Sequence, residues 1–184
     1  KEKGVIQNIS RVIEVYPDEA KIPFHYRAVI PDAPVGWDAS GVNLFEEKTA
    51  LLAALGEAFE RYSMLNFLPE KNEFIDEKLE KIINEALDIR TLAGISKEER
   101  RARHSVFPLY FDEKTIFRWV KGYSLPQEKS LWVPLQLASY AYRPFRENKE
   151  PVLRMFISTG AAAASILEAA VVHGVLEIIE RDAF

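Results

Sequence analysis

Branched and aromatic residues crowd Ile9–Val15 and again Phe24–Ile30, and Pro17, Asp18, Pro31 and Asp32 interrupt them, the pattern of two strands closed by turns. A loop-like stretch at Val35–Asp38 gives way to Glu46–Leu65, where Gly56 is the only Gly or Pro and the length predicts a helix. At about 100° per residue, Leu51, Leu52, Leu55, Ala58, Phe59 and Tyr62 fall on one apolar arc of that helix. Glu46, Ala53, Glu57 and Glu60 fall opposite, flanked by Ala50 and Gly56. Ile75, Leu79, Ile82, Ile83 and Leu87 recur at helical spacing among Glu and Lys, which predicts an amphipathic surface helix over Glu73–Leu87. The charges of Ile95–Arg103 predict a solvated helical turn, and strands are expected at Val106–Tyr110, Thr115–Val120 and Leu131–Leu135. Turns are expected at Asp112–Glu113 and around Pro126. Tyr140–Pro151 reads as a connector, Met155–Ser158 as a short strand and Ala161–Phe184 as a long helix. No Gly, Asn or Pro stops this last helix, so the pattern anticipates a domain that continues beyond it.

Strands mixed with long helices predict an α+β or α/β fold, antiparallel or mixed sheets packed with long helices, in one domain over residues 1–184. The composition, 48% hydrophobic and 28% charged with a net charge of -4, is that of a globular chain with a core. Cysteine is absent, which removes thiolate nucleophiles, disulfides and Cys-based metal sites. Its 3 His lack HxxxH spacing, which disfavours a zinc hydrolase. An acidic balance argues against a nucleic-acid partner. Lys1–Gly4 carry no apolar leader, and the longest uncharged runs, Ser130–Tyr142 and Met155–Leu167, are short of the roughly 20 residues of a membrane span. No membrane partner and a cytoplasmic location are expected.

Two helical segments share one pattern, ExxER: Glu57 to Arg61 and Glu177 to Arg181. Leu167, Val171, Val172, Val175, Leu176, Ile178 and Ile179 form the apolar side of the second, and Ala170, His173, Gly174, Glu177, Glu180 and Arg181 its other face. In each copy two carboxylates stand one turn apart among small residues. If the helices face each other, four carboxylates make a hard-oxygen site for Mg²⁺ or Ca²⁺, and the adjacent arginines could pair with phosphate. The same spacing also describes a solvated helix face with i,i+3 and i,i+4 pairs, and periodicity alone leaves both readings open.

The stretch Ser158-Thr159-Gly160-Ala161 through Ala170-Val171-Val172-His173-Gly174-Val175-Leu176-Glu177-Ile178-Ile179-Glu180-Arg181-Asp182-Ala183-Phe184 resembles the signature of the YcaO family, which ends in ExxERDA. Ala50 to Arg61 resembles that family's earlier ExxER helix, and Leu109–Asp112, Ile116–Leu125 and Val133-Pro134 resemble its middle strands in order. This resemblance implies a YcaO-like pseudo-repeat and an ATP- and Mg²⁺-dependent enzyme that phosphorylates a peptide backbone amide oxygen. A Cys, Ser or Thr side chain, or sulfide, then attacks the carbon to give an azoline or a thioamide. It implies Glu57, Glu60, Glu177 and Glu180 as metal ligands and Arg181, Arg61 and Ser165 as nucleotide contacts, with no catalytic residue assigned. A peptide or protein substrate is implied, with room for an accessory partner protein and a homo-oligomer. The rival reading is a non-catalytic relative that binds a peptide or partner. Where the family has small residues before the first helix this chain has Val42-Asn43-Leu44-Phe45-Glu46, and Ala53, Ala164 and Ala169 replace a Ser, a Gly and a Glu.

Among single residues, His173 shares the carboxylate face, Trp119 and Trp132 sit in strand-like runs expected to be core, and Trp37 lies in a loop open to a partner. Lys48 falls on the apolar side of the first helix, where a long stem can snorkel.

Overall fold

The computed structural model describes residues 4–13, 24–34, 36–92, 96, 98, 111–112, 114–144, 149–154 and 156–183. The chain divides into two compact units, Lys1–Leu65 with Ser158–Phe184, and Asn66–Ile157. Among the described residues each unit holds an antiparallel three-stranded sheet with its strands paired in chain order, so the fold is mixed α+β. The strand expected at Val106–Tyr110 and nearly all of the turn at Ile95–Arg103 lie outside the described residues.

In the first unit β1 (Asn8–Arg11), β2 (Phe24–Val29) and β3 (Ala39–Asn43) pair with Ile9 opposite Ala28 and Ala28 opposite Ala39. Their inner face meets helix α1 (Glu47–Asn66) through Ala28, Ile30, Ala39, Ala54 and Ala58, with Tyr26 and Tyr62 packed around them. The buried face of α1 is therefore its alanine stripe, Ala50, Ala54 and Ala58. Leu52 and Phe59, expected to lie on the packed arc, are about half exposed, which corrects the face assignment. The reason is steric: Gly41 of β3 approaches so closely that a Cβ there would overlap the Ala50 carbonyl oxygen and the Ala54 nitrogen. Only small residues permit a strand that near to a helix backbone.

Val42–Glu46, where the family carries small residues, is the end of β3 and an Asx turn. The backbone N–H groups of Phe45 and Glu46 donate to Asn43 Oδ1 at 2.8 and 2.7 Å, and Thr49 donates to Glu46. These bonds satisfy donors at the start of α1 and leave Leu44 and Phe45 in solvent.

The second long helix of this unit, α4, runs Leu167–Asp182 and not from Ala161. Its alanine-rich lead-in has high helix propensity, yet Ala161–Ala164 are not helical. Gly160 sits at φ +89 and Ala161 N–H closes a turn on Ser158 at 2.8 Å, so the chain crosses α4 before entering it. The crossing point is Gly174, where a Cβ would strike the Gly160 carbonyl. Gly174 is the buried residue of α4, while Val172, Leu176, Ile178 and Ile179 are half exposed or more.

In the second unit the sheet is β4 (Phe74–Lys78), β5 (Ile116–Ser124) and β6 (Lys129–Pro134); the short helix α2 (Leu79–Ile82) and a 3-10 turn, Ile89–Thr91, lie between β4 and β5, and the short helix α3 (Leu135–Ala138) follows β6. The amphipathic helix expected over Glu73–Leu87 is thus mostly a strand and a single helical turn. Ile75 and Leu79 lie against Phe117 and Trp119. Trp119 Nε1 donates to the Glu77 carbonyl at 2.8 Å, and Arg118 forks onto Asp76 across the strands at 2.8 Å. Pairing with an aromatic strand outweighs the local helix preference of Glu and Lys. Glu85 and Leu87 instead bond the backbone of Trp132 at 2.7 and 2.8 Å. Residues 156–158, expected in a short strand, are in none. Trp119 is fully buried as expected, and Trp132 is half-buried under Lys121. No helix among the described residues is long and apolar enough to cross a membrane.

The close approach of β3 to α1 makes opposite predictions for two glycines. Gly41→Ala should destabilise the fold by about 1–3 kcal/mol, because backbone rather than flexible side chain blocks the added carbon. Gly56→Ala, in mid-helix with nothing within 4 Å of the new carbon, should stabilise it by ~1 kcal/mol. Urea midpoints of the two variants check both signs.

Candidate functional site

Both ExxER helices belong to the first unit, and each holds the first carboxylate of its motif in the same way. On α1, Glu57 Oε2 accepts the backbone N–H of Ser40 at 2.6 Å and its Oε1 accepts Arg61 Nη2 at 2.5 Å. On α4, Glu177 Oε2 accepts the backbone N–H of Gly160 at 2.9 Å and its Oε1 accepts Arg181 Nε at 2.9 Å. Donor and carboxylate are 17 residues apart in both copies. Ala54 and Gly174, three residues before the respective glutamates, are the small residues that let each donor segment reach the helix. The sequence repeat is thus a structural repeat, with one backbone N–H and one arginine fixing each leading glutamate.

The second glutamates differ. Glu60 is half-buried, and its carboxyl is pushed from 4.5 to about 7 by burial first, then by the Glu177 and Glu57 carboxylates, with Arg61 opposing. Glu57, Glu60 and Glu177 therefore share one region of negative potential drawn from both helices. Glu180 is exposed and is not among the groups acting on Glu60. Ser165 is exposed just before α4, and His173 and Lys48 are exposed on their helices. Trp37 is half-buried in the turn before β3.

The arginines differ too. Arg61 is three-quarters buried and also donates through Nη1 to the Asp38 carbonyl at 2.6 Å, while Asp38's carboxylate is gripped by Arg27 of β2. Arg181 is 59% exposed and spends only Nε on Glu177. Sequence reasoning did not find Ser40, Asp38 or Arg27. The one signal available was the repeat itself, since aligning the two motifs sets Ser40 on Gly160.

Residues 44–184 match the family described as YcaO cyclodehydratase, ATP- and Mg²⁺-binding. With most of its length in that match, the chain belongs to the YcaO family, and ATP and Mg²⁺ are the ligands of that family. It is 27% identical, over 96% of its length, to an uncharacterized protein of Methanothermobacter thermautotrophicus, of which it covers 41%. Among solved structures it is similar to a heterocyclase in complex with substrate and cofactor (TM-score 0.77, 22% identity, 97% of this chain and 25% of that one). It is also similar to the heterocyclase TruD (TM-score 0.58, 23% identity, 73% and 20%) and to the E. coli microcin synthetase McbBCD complex with pro-MccB17 bound (TM-score 0.60, 14% identity, 94% and 39%). The chain thus spans about two-fifths of the curated relative and a quarter of the first heterocyclase.

The residues at the site fit a hard divalent cation. The donors are carboxylate oxygens, the preferred ligands of Mg²⁺, and the Glu177 and Glu57 charges that add to burial in raising the Glu60 carboxyl are an excess that a cation relieves. Among the described residues no three His, Cys, Asp or Glu side chains are gathered closely enough to hold an ion, so the four carboxylates do not form a ready-made cage.

Glu60 makes stability depend on pH. Its folded pKa lies above its ordinary one, so its contribution is fully present below about pH 4.5 and is lost as pH rises through about 7. Without divalent ions, Glu60→Gln should unfold at a higher temperature than wild type at pH 8 and at nearly the same temperature at pH 4.5. Added Mg²⁺ should narrow the gap at pH 8 by stabilising wild type. Thermal unfolding at the two pH values reads both effects.

Proposed function

We propose that this chain carries the magnesium-nucleotide part of an enzyme that activates a peptide backbone amide with ATP, on the way to an azoline or a thioamide. The observation that supports this reading is the duplicated clamp, in which two helices each present a glutamate fixed by a backbone N–H and an arginine, with Glu60 between them in a field that favours a cation. Glu57, Glu60, Glu177 and Glu180 would hold Mg²⁺. Bound there, the ion supplies neutralisation of the charge that spreads over phosphate oxygens during phosphoryl transfer.

The chain's own residues bind and orient. Ser40 and Gly160 N–H groups orient Glu57 and Glu177, and the other carboxylates would close on a cation around them. Arg181, with its terminal nitrogens in solvent, is the group suited to a phosphate oxygen. Ser165, at the approach to α4, completes the proposed nucleotide contacts. A peptide oxygen is a poor leaving group until it departs as phosphate, and a Cys, Ser or Thr side chain of the peptide, or sulfide, takes its place on carbon. Peptide substrate and an accessory protein are proposed by analogy with the relatives, one of which is a complex holding pro-MccB17.

Calorimetry of ATP with and without Mg²⁺ is the first test. Wild type should bind Mg-ATP, and Glu177→Gln should lose at least tenfold of the Mg²⁺-dependent gain. Absence of any Mg²⁺-dependent ATP binding would contradict the reading. In turnover with added peptide, ¹⁸O at the reacting amide should appear in released phosphate, and unlabelled phosphate would exclude amide-oxygen activation.

A further inference from the structure

We infer that the two arginines of the repeated motif have separate jobs. Arg61 is a positioning residue that locks Glu57 and never reaches phosphate, and Arg181, whose two terminal nitrogens are uncommitted, serves the nucleotide. The inference rests on the magnesium-nucleotide reading above and deepens it.

Alignment of the two copies sets Asp38 opposite Ser158, Ser40 opposite Gly160 and Arg61 opposite Arg181. In the first copy the Asp38 carbonyl accepts Arg61 Nη1 at 2.6 Å. Its counterpart in the second, the Ser158 carbonyl, is already taken by the Ala161 N–H at 2.8 Å. That turn, with Gly160 at positive φ, engages the carbonyl locally, and Arg181 makes no bond to it. Arg61 therefore spends both terminal nitrogens on protein, one on Asp38 and one on Glu57, and its side chain is 25% exposed. Arg181 spends Nε only, is 59% exposed, and has two terminal nitrogens bonded to nothing among the described residues.

A second layer holds the first arginine's partner in place. Arg27 of β2 pairs with the Asp38 carboxylate, so the β2–β3 connection is gripped at its side chain by Arg27 and at its carbonyl by Arg61. Two residues on, the start of β3 supplies the Ser40 N–H to the other oxygen of Glu57. Glu57 is thus set by a closed ring of contacts, Arg61 to Asp38, along the backbone to Ser40, and back to Glu57. An arginine turned outward to phosphate would break two bonds of that ring. One turned outward from Glu177 breaks at most one, and its free nitrogens need not turn at all.

The test separates metal from nucleotide. Binding of Mn²⁺ alone is read by electron paramagnetic resonance, and binding of ATP in excess chelator by calorimetry, for wild type, Arg61→Gln, Arg61→Lys, Arg181→Gln and Glu57→Gln. Arg61→Gln should weaken Mn²⁺ about tenfold to a hundredfold, the usual effect of removing a partner from a metal ligand, and leave metal-free ATP within about twofold. Arg61→Lys, which keeps the charge and one donor, should fall between, and it serves in place of the glutamine variant if that chain does not fold. Placed in a Glu57→Gln background, either change at Arg61 should have no further effect on Mn²⁺, which a general structural role would not predict. Arg181→Gln should show the reverse, weaker ATP and nearly unchanged Mn²⁺. If Arg61→Gln or Arg61→Lys weakens metal-free ATP as much as Arg181→Gln does, or leaves Mn²⁺ untouched, the division of labour is wrong. If wild type binds neither Mn²⁺ nor ATP, the magnesium-nucleotide reading fails and takes this inference with it.

Discussion

Everything at the site depends on two places where backbone lies directly on a helix. Gly41 rests on Ala50 and Ala54 of α1, and Gly160 rests on Gly174 of α4. At both, a single methyl group would force the segments apart. Because they touch, the N–H of Ser40 and of Gly160 comes within hydrogen-bond reach of a glutamate one turn further along the helix. A main-chain donor has no side-chain entropy to lose, so each carboxylate is held with little further ordering. The alanine stripe of α1 serves the site as much as the core, and it explains why larger residues of the same helix, Leu52 and Phe59, are left partly in water.

The electrostatics follow from that placement. Holding Glu57 and Glu177 against backbone brings both within range of Glu60, whose carboxyl is desolvated and faces two negative neighbours with one arginine to offset them. Such an arrangement opposes the ionised apo state and favours any state with added positive charge. Arg61 and Arg181 each pair with one oxygen of a leading glutamate, and of the two only Arg61 is among the groups that offset the charge on Glu60.

Much of the fold was legible along the chain, and the failures have physical causes. β2, β5, β6 and α1 follow from periodicity and turn residues, and the ExxER repeat marked the two helices that carry the candidate carboxylates. Glu73–Leu87 misled because Glu, Lys, Ile and Leu satisfy a helical template, whereas the decisive interactions, with Phe117 and Trp119, come from residues about 40 positions away. The alanine-rich start of the last helix misled for a related reason: a backbone crossing at Gly174 overrides local propensity. β3 was hidden since it carries Gly41 and Ser40 in place of branched residues. Carboxylates and arginines stand out in a sequence, whereas main-chain donors such as the Ser40 N–H leave no mark in composition.

The central claim is that carboxylates from both helices act on one ion. A double-mutant cycle on Mn²⁺ affinity between Glu60 of α1 and Glu177 of α4, each changed to Gln, tests it most directly. The account predicts strong non-additivity, with either single change removing most of the affinity and the second adding little. Additive losses, or loss confined to one helix, would show that the two motifs do not share a site.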